Sequence, residues 1–569
     1  MSVNRRAKPF WRSLEFTLPV LMAALLLLPW LGQLDLWAPD EPRYAQISEE
    51  IRALEHGPRG LALLHLNGQP YTQKPPLYFW LAAGFGSFNG HVDHWSARLP
   101  SALAGIAIIG LTAAFGRHLY THARAGLVAS LLLLGVLRFS HQARRVQIDV
   151  LLTLCEIGTL LAFWSLNRSA AGQSKKSTPL LLCMHGAMGL GLLAKGPVAA
   201  LPYLIILFFL VWEGRAREVR QFFPLWGLCI ALAPAMSWLT ASVFLAPSNY
   251  FDQAVSQNLM DRFLFGLHHP RPFYYYLYQL PIDFLPWTPV ALFAVTTTAW
   301  GLWQDKEGSS RSRSTSRFLL TWLGVFFTFF SISAEKRGLY MLPAFPALAL
   351  LCEGWLARQL LRDTLPKTLF GGSLILLVSL GLASLIGVFG LPPNLLDQIL
   401  GPDLMPFWIA CMTVFLVAIV ALFWTRWKDQ NAFHELSILL AIPIALSSAV
   451  FWLLLPTLNA EKSHRAMASI MLEASQSDPL LGVYTHSSLT GGVEYYSGKR
   501  TRALEGLEDL RAFRDSGGRI IVAPHWAETV LQNEVDFRVL SRLREGQRAL
   551  VILEVNNIAE TQSEGAPSP

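Results

Sequence analysis

The sequence predicts an all-α polytopic membrane protein that ends in a small α/β domain outside the bilayer. Three observations lead there. Charged residues make up 15% of the chain and apolar residues 53%, whereas soluble domains carry about 25% charged residues. Apolar runs long enough to cross a hydrocarbon core of roughly 30 Å, about 20 helical residues each, recur along most of the chain. Lysines and arginines gather in alternate short loops, the pattern that membrane topology imposes.

About thirteen spans meet the length criterion. They start near Leu14, Ser101, Ala125, Val150, Thr178, Val198, Gln221, Asp283, Phe318, Leu339, Thr368, Pro406 and Glu435. The first follows a basic segment, as a signal peptide would. No small-residue cleavage site closes it and further spans follow, so it reads as a retained helix. The basic loops Arg117 to Arg124, Arg168 to Lys176, Arg215 to Arg220, Lys306 to Arg317, Arg358 to Lys367 and Arg426 to Lys428 then share a side with Arg5 and Arg6. The positive-inside rule makes that side, and the N-terminus, cytoplasmic. An odd number of spans leaves the C-terminal segment outside. The expected organisation is a membrane domain over 1–458 with a large outer loop at 35–98, an α/β domain over 459–558, and a disordered polar tail at 559–569. In the α/β domain LLGVYTH, GGRIIVAPHW and RALVILEV read as strands, and LEDLRAFRDSG as an amphipathic helix.

The net charge of +7 is dispersed between apolar runs, which argues against a nucleic-acid partner. The five cysteines form no CxxC pair and read as small buried hydrophobes.

Polar residues that break the pattern fall on the outer face. Asp40 and Glu41 follow an apolar segment in LWAPDEPRYAQISEEI. They read either as active-site carboxylates at the membrane boundary or as helix-capping residues. Lys74 precedes two prolines and could simply snorkel. Asp149 opens the fourth span. Arg144, Arg145, Lys195, Arg262, Lys336 and Arg337 are cations on the side that should lack them. Phosphate is their natural partner, because arginine and lysine give charge-assisted bonds to its oxygens; anionic lipid head groups are the bland alternative. His268 and His269 are adjacent in an aromatic loop that otherwise resembles an interfacial belt. They are metal-ligand candidates, although neighbouring residues do not share a face in regular structure.

The strings WxPDExRYAxIS, KPPLYFW, IDxxL, AKGPxA, RF…HHxxPFYYY…LPW and SxxKRxxYxLPxxPALAL together resemble the ArnT-like membrane glycosyltransferases, a group related to dolichyl-phosphate-mannose-protein mannosyltransferases and of GT-C fold. The likeness runs in order through nearly all of the membrane region, and the tail resembles the periplasmic domain of aminoarabinose transferases. It implies an enzyme of the bacterial inner membrane that takes a sugar from an undecaprenyl (polyprenyl) phosphate donor at the periplasmic face. In the ArnT-like branch the sugar is 4-amino-4-deoxy-L-arabinose and the acceptor a phosphate of lipid A. The resemblance makes Asp40 the catalytic carboxylate and Asp149 a second acid, with Glu41 beside them. It puts Arg43, Tyr44 and Lys74 in the same cavity and gives the carrier phosphate to Lys195, Arg262 and Tyr340, with Lys336 and Arg337 close by. A divalent metal is compatible with this scheme. Two departures bear on that metal and on the sugar: Gln73 stands before Lys74, and Gln257 and Asn258 precede Arg262, where the aminoarabinose enzymes carry acids. Two alternatives remain: a transferase of mannose or another sugar to protein or glycan, and a lipid or sugar transporter.

Overall fold

The structure is a computed structural model that describes residues 9–122, 124–169, 177–246, 270–304, 309–360, 404–428, 432–475, 480–485, 489–532, 535–545 and 548–555. Two compact units divide the chain. The first comprises Met1–Pro29, Thr72–Tyr78 and Pro100–Leu454; the second comprises Trp30–Tyr71, Phe79–Leu99 and Leu455–Pro569.

In chain order the helices are α1 (Pro9–Leu27), α2 (Asp40–Arg52), α3 (Leu77–Asn89), α4 (His94–Leu119), α5 (Ala125–Leu134), α6 (Leu137–Ala143), α7 (Ile148–Ser169) and α8 (Ser177–Lys195). Next come α9 (Leu201–Trp212), α10 (Leu225–Leu245), α11 (Tyr275–Asp283), α12 (Thr288–Trp303), α13 (Ser310–Ile332) and α14 (Phe345–Leu360). The last are α15 (Met405–Lys428), α16 (Ala432–Ala449), α17 (Arg465–Ser475), α18 (Thr490–Ser497), α19 (Leu507–Asp515) and α20 (Ala527–Leu531). The strands are β1 (His65–Leu66), β2 (Gln69–Pro70), β3 (Leu480–Tyr484), β4 (Arg500–Leu504), β5 (Ile520–Pro524), β6 (Phe537–Glu545) and β7 (Arg548–Val555).

The first unit is the multi-pass membrane part. Among the described residues eight helices are long and apolar enough to cross a bilayer, or nine if the α5–α6 pair counts as one span. Apolar helices occupy the expected segments, except that the one from Thr368 lies outside the described residues. The span expected from Ala125 needs correction: it is two helices bent by 75°. Composition gives an apolar run its length but not its direction.

Packing separates lipid-facing from central helices. The most apolar stretch of α10 is only 11% buried, whereas the span over Gly338–Gln359 is 94% buried. In lipid, an exposed apolar face is the favourable one. Helices α4 and α5 approach so closely that a Cβ on Gly126 would sit 2.2 Å from the Ala113 carbonyl oxygen, the small-residue contact typical of membrane helices. Helix α8 stops at Gly196, whose φ of 79° is a conformation glycine adopts without strain. That stop leaves Lys195 at the helix end.

The second unit combines residues of loop 35–98 with the tail. Its five-stranded sheet runs β4-β3-β5-β7-β6. Strand β3 is parallel to β4 and to β5, while β7 is antiparallel to β5 and β6. The parallel connections carry α18 and α19, since a parallel crossover needs a long link. All five residues of β5 are buried. Ile520 and Val522 pack with Met467 and Met471 on one face, and Ile521 and Ala523 with Phe513 and Leu510 on the other, following the two-residue period of a strand. The expected strands and the amphipathic helix over Leu507–Asp515 are present; β4 and β6, richer in arginine, escaped the apolar pattern. The boundary expected at Asn459 lies near the Leu455 start of this unit's last segment, but much of loop 35–98 belongs with the tail. The tail expected to be disordered, 559–569, is outside the described residues.

Candidate active site

In the first unit, α7, α8 and the turn before α14 bring three sequence-predicted residues together. Asp149 is the second residue of α7, and its Oδ1 accepts a hydrogen bond from Lys195 Nζ at the end of α8. The side chains are 7% and 10% exposed. Gln147 Nε2 donates to the other carboxylate oxygen at 2.9 Å. The Lys195 ammonium also lies 4.4 Å from the centre of the Tyr340 ring, a cation–π arrangement strengthened by desolvation. The Tyr340 hydroxyl donates to Glu335 Oε1 at 3.3 Å. This is one largely shielded cation, oriented by a carboxylate and an aromatic face. Such a group can take a phosphate oxygen without first being ordered. Lys74 is half-buried and belongs to the same unit.

In the second unit, Asp40 and Arg43 lie in the first turn of α2 and pair at 2.6 Å, each about one-fifth exposed. The Arg43 guanidinium stands 5.2 Å from the Tyr44 ring centre. Its buried Nε has no acceptor among the described residues. A polar cavity of about 680 Å3 opens in the same unit beside Glu49, Asp93, Arg465, Glu494 and Arg500. Burial pushes the Glu494 carboxyl up to about 7.

A family model, dolichyl-phosphate-mannose-protein mannosyltransferase, matches residues 73–240. An undecaprenyl phosphate-α-4-amino-4-deoxy-L-arabinose arabinosyl transferase of Pseudomonas savastanoi pv. phaseolicola is 32% identical over 349 residues, covering 60% of this chain and 61% of the relative. The chain thus aligns over about three fifths of that relative's length. The crystal structure of ArnT from Cupriavidus metallidurans bound to undecaprenyl phosphate superposes with a TM-score of 0.72 at 21% identity, covering 96% of this chain and 98% of that one. The chain has the ArnT-like GT-C fold. A more distant match is the archaeal oligosaccharyltransferase AglB of Archaeoglobus fulgidus, with a TM-score of 0.53 at 13% identity, covering 92% of this chain and 70% of that one.

Within this ArnT-like framework several of the expected polar residues are engaged by partners within the chain. Glu41, expected beside the catalytic acid, is 1% exposed. Its two oxygens accept from Arg98 Nε and Nη2, each at 3.0 Å, and Oε2 also accepts from the Trp37 backbone N–H at 2.8 Å. It is a structural clasp. Arg98 completes the clasp by donating to the carbonyls of Leu31, Leu34 and Asp35. Arg144, expected to face an anion, donates to the carbonyls of Leu26, Leu27 and Pro29. It satisfies the end of α1, where carbonyls lack helical partners. Lys336 is 3% exposed, and its ammonium donates to the carbonyls of Ser333 and of Arg271, so it is a loop brace. The Arg337 carbonyl accepts from the Tyr276 hydroxyl at 3.0 Å.

Arg262, His268 and His269 lie outside the described residues. Among the described residues, the group with metal-ligand spacing is Glu50, Glu55 and His56. Its donors are engaged elsewhere: Glu50 accepts from the backbone of Asn67 and Gly68, and Glu55 pairs with Arg500. That set does not fit a resident ion. Sequence reading also missed Glu156, 1% exposed, two turns along α7 from Asp149 and with neither oxygen hydrogen-bonded among the described residues. Its signal was an acid inside an apolar run, which in a membrane span marks a functional candidate.

Proposed function

We propose that this ArnT-like chain is a glycosyltransferase of the bacterial inner membrane. It moves 4-amino-4-deoxy-L-arabinose from undecaprenyl phosphate to a phosphate of lipid A at the periplasmic face. The observation that carries the reading is the Lys195 ammonium, its side chain 10% exposed, in contact with both Asp149 and the Tyr340 ring. The relatives named as aminoarabinose transferases supply the sugar and the carrier. The distribution of basic loops supports an N-terminus in the cytoplasm and a C-terminal domain in the periplasm.

An oxygen of the acceptor phosphate attacks the anomeric carbon. The bond from that carbon to the carrier phosphate breaks, and its electron pair leaves with the phosphate. Negative charge therefore grows on the carrier phosphate, where preorganised cations lower the barrier most. Lys195 is that cation, with Arg262 and Lys74 as further ones. Asp149 keeps the ammonium oriented until the phosphate arrives. Asp40 stabilises the positive charge that develops on the sugar, as carboxylates do in glycoside hydrolysis. Arg43, whose Nε has no acceptor among the described residues, and Tyr44 bind substrate oxygens. An ionised phosphate acceptor needs no strong base, whereas a hydroxyl acceptor would lose its proton to a carboxylate.

Mass spectrometry of lipid A from cells with and without the gene tests the reading. An aminoarabinose on the lipid A phosphates that vanishes on deletion supports it. The match to the mannosyltransferase family over 73–240 favours a second reading, transfer of a sugar to protein or glycan. Unchanged lipid A with loss of a protein-linked or glycan-linked sugar would replace the first reading by the second.

A further inference from the structure

A second polar site occupies the opposite end of the same helices. Tyr340 precedes α14, whereas Arg358 lies in its last turn. There, the chain after α4 and the facing parts of α12, α13 and α14 enclose a cavity of about 170 Å3. Its polar lining is built from donors, with Arg311, Arg358, Ser309, Ser312 and Thr315 foremost. Arg168 and Arg311 both donate to the carbonyl of His118, so two guanidiniums converge where repulsion should part them. Among the described residues neither they nor Arg358 form an ion pair. Glu353, the acid nearby, faces His122 at 2.9 Å. The first turn of α13 presents its N-terminus, with Ser309 accepting from the Ser312 backbone N–H at 3.2 Å. Thr315 lines the cavity and is 4% exposed, yet its Oγ1 has no partner among the described residues. A buried hydroxyl without a partner is unfavourable because it gives up its hydrogen bonds to water, and a bound acceptor would remove that cost.

We propose that this cavity binds a phosphate group, carried by an anionic lipid head group or free in solution. The ligand must be compact and rich in acceptors, because hydroxyls, two arginine forks and a helix N-terminus converge on it. A phosphate offers oxygens in several directions, which suits that set. Basic pockets between membrane helices take phospholipid head groups on the same physical grounds. The inference stands apart from the sugar-transfer reading, since it needs no activity.

The test uses the full chain purified in detergent. Retention of phosphatidylglycerol against phosphatidylcholine is read by native mass spectrometry. The melting temperature is read with sodium phosphate against sodium chloride at equal ionic strength. Arg358→Gln and Thr315→Val probe the cavity, and Arg313→Gln, outside its lining, is the control. Loss of a charge-assisted bond predicts about tenfold weaker binding in Arg358→Gln and a smaller loss in Thr315→Val. Selective retention of phosphatidylglycerol identifies the lipid as the source; a shift with sodium phosphate alone identifies free phosphate. Should Arg358→Gln fail to give a monodisperse protein, Thr315→Val carries the test, as it changes no charge. Equal binding in the wild type and in a folded cavity variant overturns the proposal, as does failure of both probes to exceed their controls.

Discussion

Glu41→Gln separates the two acids that sit side by side at the start of α2. Glu41 and Arg98 are 2% and 3% exposed at the side chain and share two hydrogen bonds of 3.0 Å. Removing one partner of a buried pair costs about 3–5 kcal/mol, because the other charge is left uncompensated. Glutamine keeps one acceptor and Arg98 keeps its three carbonyls, so the lower end, about 3 kcal/mol, applies. For a unit of this size that corresponds to roughly 6–12 °C in melting temperature. The neighbouring Asp40–Arg43 pair is about one-fifth exposed, and Asp40→Asn should cost below about 1 kcal/mol. Thermal denaturation and limited proteolysis of the detergent-purified protein measure both. Replacing the pair together, as Glu41→Gln with Arg98→Met, should recover part of the loss, since no buried charge remains. A Glu41→Gln protein as stable as wild type but inactive would refute the clasp and return Glu41 to the catalytic machinery.

Asp40→Asn should abolish transfer while leaving expression and melting unchanged, as read by the lipid A product and by thermal denaturation. Lys195→Met should lower kcat/KM for the donor by about tenfold or more, the value of one charge-assisted bond, with little change in acceptor dependence; steady-state kinetics with varied donor checks it. The pH profile of stability should carry the signature of Glu494, whose carboxyl is raised from 4.5 to about 7 by burial. The folded state holds that proton more tightly than the unfolded one, so the contribution of Glu494 to stability is fully present below about pH 4.5 and is lost as pH rises through about 7, by ~3 kcal/mol in all. Melting measured between pH 5 and 8 should slope downward in wild type and flatten in Glu494→Gln.

The membrane architecture was legible because lipid imposes a length and a composition on each span. Direction was not. The bend between α5 and α6 lies inside a run that reads as one span, and nothing apolar encodes a 75° turn. At the site, Lys195 was found because it is a cation on the side that should lack one; that it ends its helix, before Gly196 with its positive φ, came from the structure. Asp40 and Glu41 could not be told apart, because adjacent helical residues point in different directions. The partner that decides the role of Glu41 lies 57 positions away. Arg144 read as a topology violation because its acceptors, the carbonyls ending α1, lie more than a hundred residues upstream. A cation that caps a distant helix and one that awaits a phosphate look alike until the acceptors are in view. Lys336 is the same case over a shorter span, its brace formed by the backbone of its own loop and of the segment at Arg271.

The most direct measurement is reconstitution of the purified chain in liposomes with undecaprenyl phosphate-aminoarabinose and lipid A, followed by mass spectrometry of the lipid A. Wild-type protein should add aminoarabinose to a lipid A phosphate, and protein carrying Asp40→Asn or Lys195→Met should add little or none at the same donor concentration. Unmodified lipid A with a folded wild-type protein, or full modification by both variants, would contradict the account.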